Sequence, residues 1–277
     1  MKTKNSMQLK ALVNNRAKAA NVTPQLMLQN YMLERFIDRI SQSSWRDDIV
    51  VKGGMLIGVD RRTTKDLDTT ITGFALSHET AKRAFGEICA IELDDDLTFE
   101  LLRTEDIREI DEYPGIRVYL QAKYHPLAVP LTVDVTTGDK ITPGAIVYEY
   151  PFVFDEGSAK IMAYPLETVL AEKLETVLSR NTATTRIRDF YDVFELWRVK
   201  RDICNAKTLK AALVATCEKR NSTAILNRHS ELVERMRQDG ALATQWNKYA
   251  SKHSYAADID FSQTLDVVDE VMNGLDF

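Results

Sequence analysis

The feature that most constrains the fold is a change of hydrophobic period near residue 155. Between Leu97 and Phe154, four stretches alternate with the two-residue rhythm of strands: LTFELLRTEDIREI, RVYLQAKYH, PLTVDVTT and IVYEYPFVF. Tyr113-Pro114-Gly115, His125-Pro126 and Pro143-Gly144 divide them. From Tyr164 almost to the end, apolar residues recur at helical intervals instead. The pattern predicts an α+β chain: an amino-terminal domain with a sheet over residues 1–157, then an all-helical domain over residues 158–277.

Ahead of the strands, residues from about Ser6 to Ser41 read as helical, with Leu28, Tyr31, Met32, Phe36 and Ile40 at helical spacing. Thr23-Pro24 supplies an N-cap and a first-turn proline. The apolar run IVVKGG ends in paired glycines, and GMLIGV predicts a helix start. Ser77, followed by Glu79 and Thr80, caps an amphipathic stretch reaching about Glu92.

Hydrophobic residues at 44% and charged residues at 28% fit an ordinary globular protein. No run of about 18 apolar residues is present, so no membrane span is expected. The polar, helical start MKTKNSMQLKALVNNRAK is unlike a signal peptide. Cys89, Cys204 and Cys217 lie far apart, which argues against a disulfide framework or a zinc site. A cytoplasmic protein is expected. With a net charge of −5, any nucleic acid must be met by a local basic patch.

Within this frame, RTTKDLDTTI stands out. Asp66 and Asp68 are two residues apart in a strand-like, Thr-rich stretch, so both point to one face. Like charges there repel, and Asp is depleted in strands. Either the stretch is a solvated edge or turn, or it holds a divalent cation. In PLTVDVTTGD, Leu131, Val133 and Val135 take one face, and Thr132, Asp134 and Thr136 the other. Asp134 then makes a third carboxylate on a neighbouring strand. Three carboxylates brought close together resist joint ionisation unless a cation neutralises them. Such a trio suits one or two Mg²⁺ shared with nucleotide phosphates. Upstream, Gly53 and Gly54 would let backbone N–H groups approach phosphate at a helix start.

Gly53, Gly54, Asp66, Leu67, Asp68 and Asp134 resemble the signature of the nucleotidyltransferase superfamily with the DNA polymerase β-like fold, although Thr69 stands where a hydrophobic residue is usual. VVKGGMLIG, RTTKDLD, LTVDVTTGD, YPLETVLAEKLETVL and RIRDFYDVF, spanning about Val50 to Phe194 in the same order, are more closely similar to AbiEii-type toxins. These are the nucleotidyltransferase partners of AbiE and MenT-like toxin–antitoxin and phage abortive-infection systems. The resemblance implies a polymerase β-like core with a mixed sheet. It also implies transfer of a nucleoside monophosphate from an NTP to a hydroxyl, with a two-metal site of Mg²⁺, or Mn²⁺ in its place, held by Asp66, Asp68 and Asp134.

By itself, Lys173 in the helix YPLETVLAEKLETVLSR reads as a snorkelling surface lysine. The resemblance places it at the nucleotide phosphates; Arg180, seven residues on, lies near the same helix face and is a lesser candidate. In RIRDFYDVFELW, Arg188, Asp189 and Asp192 share a helix face, as an exposed charge ladder would. The resemblance implies a cleft-lining segment in which Asp189 or Asp192 is needed for activity and Arg188 stands where lysine is common. An aspartate near Lys173 would position its ammonium. Thr63, Thr64 and Lys65 are further polar candidates at the nucleotide.

The resemblance also implies an RNA acceptor, particularly the tRNA 3′ end, and a cognate antitoxin that is a DNA-binding repressor, in some pairs without a stable complex. Arg180, Arg186, Arg188, Arg198, Lys200, Arg201, Lys207, Lys210, Lys219 and Arg220 gather in the second half, as a backbone groove or a mixed charged surface. Protein or small-molecule acceptors, and an idle NTP-binding module that engages an antitoxin, stay open. Asp94-Asp95-Asp96 reads as a solvated loop, Asp60 and Asp139 as turn residues, and Trp197 and Trp246 as core.

Overall fold

The computed structural model describes residues 5–58, 62–107 and 115–277. Asp60, the end of LTFELLRTEDIREI, and Tyr113-Pro114 lie outside them. The chain forms two compact units: residues 1–139 with 145–163, and residues 140–144 with 164–277. Among the described residues, no helix is long and apolar enough to cross a membrane.

The first unit opens with α1 (Ser6–Ala19) and α2 (Pro24–Gln42). The Thr23 hydroxyl caps α2 through the Leu26 N–H, with Pro24 in the first turn. Strands β1 (Ile49–Lys52) and β2 (Asp66–Ile71) follow, then α3 (His78–Cys89) behind the capping box of Ser77 and Thr80. β3 (Thr98–Ile107), β4 (Gly115–Tyr124), β5 (Leu127–Thr137), β6 (Ile146–Pro151) and β7 (Ser158–Ala163) complete a seven-stranded sheet. Its order is β3-β4-β5-β2-β1-β7-β6, with β2 parallel to β5, β1 parallel to β7, and the remaining pairs antiparallel. A mixed sheet with helices fits the α+β class.

Ser158–Ala163 is a strand that the sequence pattern did not announce. Ala159, Ile161 and Ala163 are buried, but two of the three are alanine, so the alternation is faint. Because β7 pairs with β1, the first unit continues to Ala163, beyond the expected boundary at 157.

One sheet face is apolar. Ile116, Val118, Leu120 and Ala122 of β4, Val129, Leu131, Val133 and Val135 of β5, and Leu67 and Ile71 of β2 are all buried. Helices α2 and α3 pack on this face, where Phe36 meets Phe85 and Phe99 with ring centroids 6.2 and 5.2 Å apart. The alternate residues, including Asp66, Asp68, Arg117, Thr132 and Asp134, carry the opposite face.

Charged groups are buried within this core, and each meets partners. Arg39 is fully buried; it binds Asp95 in bidentate fashion at 2.8 and 2.8 Å and donates to the carbonyls of Leu97, Ile91 and Arg35. Asp95 is therefore a structural anchor, and the reading of the acidic run as wholly solvated is corrected. The sequence pattern concealed the pair because 56 residues separate its members. Replacing Arg39 by alanine should destabilise the first unit by about 3–5 kcal/mol, measured by urea unfolding of the full chain. A loss below about 1 kcal/mol would mean that water already screens the pair. Glu34, also fully buried, accepts from the Val153 and Phe154 N–H groups and pairs with Arg35. Burial pushes its carboxyl above the ordinary range, against the pull of these donors.

The second unit is helical: α4 (Leu166–Arg180), α5 (Arg188–Lys200), α6 (Ala206–Lys219), α7 (His229–Arg237), α8 (Gly240–Ala250) and α9 (Phe261–Gly274). Helix α4 packs on α5 and α6, and α9 on α5 and α7. Polar residues of α4 are buried yet satisfied: Glu167 accepts from the Asn205 N–H, and Glu175 from Arg220 at 2.6 Å. Trp246 is core, fully buried with its indole N–H on the Ile259 carbonyl. Trp197 is not. It is half-buried, and its indole N–H reaches Glu270 at 2.9 Å.

Candidate active site

The polar face of the sheet gathers the carboxylates. Asp66 and Asp68 lie two residues apart on β2, and the parallel pairing sets Asp68 beside Asp134 and Asp66 beside Thr132. All three carboxylates therefore stand on one face of adjacent strands. Asp134 and Asp66 are held as follows. Arg117, opposite Asp134 on β4, grips it with Nε on Oδ1 and Nη2 on Oδ2, both at 2.7 Å. The Thr132 hydroxyl donates to Asp66. Among the described residues, no three His, Cys, Asp or Glu side chains close around a point that a metal ion could take.

The donor set still fits a divalent cation. Its hard oxygens come from adjacent strands in register, and Asp68 sits in a cradle that a single methyl group would fill. That cradle is Gly53. Its φ is +68°, and a Cβ there would collide with the Asp68 carboxylate. Gly54 does the same for a cation: a Cβ would lie 2.9 Å from Nη1 of buried Arg62 and 3.0 Å from the Thr64 hydroxyl.

The glycine pair opens one 3-10 turn, Gly53–Leu56, rather than the expected helix start. Gly58 has a φ of +104°, outside any right-handed helix, so the turn cannot lengthen into a full helix dipole. What the pair provides is close approach. Gly53→Ala should reduce transfer to the level of an Asp68→Ala variant while costing only about 1–2 kcal/mol of stability for the left-handed backbone. Steady-state kinetics beside thermal melts would check this, and full activity in Gly53→Ala would show that the cradle is dispensable.

Lys52 and Arg117 are cations beside the carboxylates on this face that sequence inspection missed. Lys52 is the antiparallel partner of Asp68, and its Nζ donates to Thr136 at 2.9 Å and to Asp139 at 2.6 Å. Asp139 is thus more than a turn residue. The signal was partial: alternation in β4 sets Arg117 on the face opposite buried Val118, but which carboxylate it meets depends on strand register.

The second unit builds its own charged constellation. Lys173 Nζ donates to Asp189 Oδ1 at 2.9 Å and to Asp192 Oδ2 at 2.5 Å, and Arg186 Nε donates to Asp189 Oδ2 at 2.7 Å. Lys173, Asp189 and Asp192 are buried, so the lysine is no snorkelling surface residue. Burial pushes the Asp189 carboxyl up, but Lys173 and Arg186 together outweigh it and hold it at about 2.

The other nucleotide candidates separate. Thr64 is buried and pinned to α2, its N–H and carbonyl bonded to the Asn30 amide at 3.2 and 2.8 Å and its hydroxyl on the Asp66 carbonyl. Lys65, Arg180 and Arg188 are exposed, whereas Thr63 is half-buried.

A crystal structure of JHP933 from Helicobacter pylori shares the fold at a TM-score of 0.51 and 14% identity, covering 91% of this chain and 94% of that one. A candidate nucleotidyltransferase from H. pylori matches with a TM-score of 0.50 at 14% identity, over 92% and 97% of the two chains. An antigenic nucleotidyltransferase-like protein from Paracoccidioides brasiliensis overlaps at a TM-score of 0.37 and 16% identity, over 72% of this chain and 91% of that one. No curated protein matches the chain. The family model described as nucleotidyl transferase AbiEii toxin, Type IV TA system, matches residues 35–267, which include both the sheet carboxylates and the Lys173 constellation. The chain belongs to the AbiEii family of nucleotidyltransferases, the toxins of type IV toxin–antitoxin systems.

Proposed function

We propose that this nucleotidyltransferase moves a nucleoside monophosphate from an NTP to a hydroxyl of RNA, at the 3′ end of tRNA. The acceptor oxygen bonds to the α-phosphorus as the α–β bridge breaks, and pyrophosphate leaves. The observation that carries the proposal is the register of Asp68 beside Asp134, with Asp66 two residues away on the same face. Asp66, Asp68 and Asp134 would hold Mg²⁺, which would supply positive charge against the triphosphate. Asp134 would also lie beside the acceptor hydroxyl and take its proton. Gly53 and Gly54 give the backbone close access, and Thr64 steadies the approach to Asp66. Lys173, oriented by Asp189 and Asp192, supplies a compact positive charge for phosphate. Lys65 and Arg188, both exposed, are secondary phosphate contacts.

The family implies a cognate antitoxin, which we take to be a DNA-binding repressor. Exposed Arg188, Arg198 and Lys207 of the helical unit support an RNA acceptor. The test is to incubate the full chain with each NTP, Mg²⁺ and total RNA and to sequence the RNA 3′ ends beside an Asp66→Ala control. Nucleotides added to tRNA ends by the wild type alone are expected. Label entering protein or metabolites while RNA ends stay unchanged would refute the acceptor.

A further inference from the structure

Asp134 is the carboxylate assigned the most demanding role, yet both of its oxygens are held by one guanidinium. Arg117 and Asp134 are directly opposed on antiparallel β4 and β5, so their meeting follows from strand register rather than from a chance rotamer. The bond is bidentate, 2.7 Å at each oxygen. The Arg117 side chain is 39% exposed, while that of Asp134 is 19% exposed. The guanidinium is the more exposed partner, so it is the one that can swing toward water more readily.

Resting on the metal-site reading above, we propose that Arg117 is an exchangeable internal counter-cation. It aims Asp134 before nucleotide arrives, and it competes with a divalent cation for the same two oxygens. A guanidinium displaced from a carboxylate is matched in geometry and charge to a phosphate. An incoming triphosphate would give Arg117 a second partner and so release Asp134. Arg117 is a positioning residue in this account, and it makes metal binding depend on nucleotide.

The test measures Mn²⁺ binding to the full chain by the loss of the free-ion paramagnetic resonance signal, with and without a non-hydrolysable NTP. Without nucleotide, Arg117→Gln should bind Mn²⁺ about tenfold more tightly than the wild type, equivalent to about 1.4 kcal/mol. The benefit that nucleotide gives to Mn²⁺ binding should shrink by the same factor. Arg117→Lys, which keeps the charge but not the fork, should fall between them. In an Asp134→Asn background the gain from Arg117→Gln should vanish. An equal gain in both backgrounds would reduce Arg117 to general electrostatics and overturn the proposal. So would unchanged affinity in a folded Arg117→Gln variant while Asp66→Asn abolishes binding, and in that event the metal site itself would survive. Mn²⁺ binding that Asp66→Asn leaves intact would instead remove the metal site and this inference together.

Discussion

Asp66→Asn should lower nucleotide transfer by at least about a thousandfold, equivalent to about 4 kcal/mol of transition-state stabilisation, with the fold unchanged. Asparagine has the same shape, its amide oxygen can still accept from the Thr132 hydroxyl, and the position is only half-buried. What is lost is one negative charge among the three carboxylates, so the damage should appear in activity and metal affinity rather than in a melting curve. Asp134→Asn should be equally inactive but less benign, because it also deprives Arg117 of its bidentate partner. Measuring kcat/KM at saturating Mg²⁺, beside thermal melts of each variant, separates these outcomes. If both variants keep full activity, the carboxylate face is not the catalytic centre.

Lys173→Met should be the most damaging substitution in the helical unit. It removes the ammonium that bridges buried Asp189 and Asp192, while the Arg186 side chain that also bonds Asp189 is 52% exposed. Breaking a buried pair in this way costs about 3–5 kcal/mol. The pH dependence gives an independent check. In the wild type, Asp189 is held at about 2, below its unfolded value, so its contribution is full above the ordinary carboxylate range. That contribution, up to about 2 kcal/mol, is lost as pH falls from about 4 toward 2. In Lys173→Met the main restraint is gone and burial pushes the carboxyl upward, so acidification over the same window should cost much less. Urea unfolding at several pH values would show it, and parallel profiles for the two proteins would contradict the role given to Lys173. Transfer should also fall, since the ammonium assigned to phosphate is missing.

Local pattern carried much of this. The Thr23-Pro24 and Ser77 starts lie where short-range rules put them, because capping is decided within four residues. Strands β4 and β5 were legible because each buries alternate large side chains, and β3 and β6 through their pattern between turn residues, although only Phe99 and Tyr150 of these two are buried; β7 was not, because two of its three inward residues are alanine. The glycine pair was visible, but its geometry was not: a single turn ended by Gly58 replaces the expected helix.

The α+β order of elements, the shared face of Asp66 and Asp68, and the motifs that mark an AbiEii nucleotidyltransferase were readable along the chain. Periodicity and spacing are properties of neighbours along the chain, so they survive without coordinates. Which charges meet came from the folded arrangement: Arg117 with Asp134, Arg39 with Asp95, Lys52 with Asp139, and Lys173 with both of its aspartates. Those choices belong to strand order and helix packing across intervals of 16 to 87 residues. A buried charge must find whatever opposite charge the fold brings within reach.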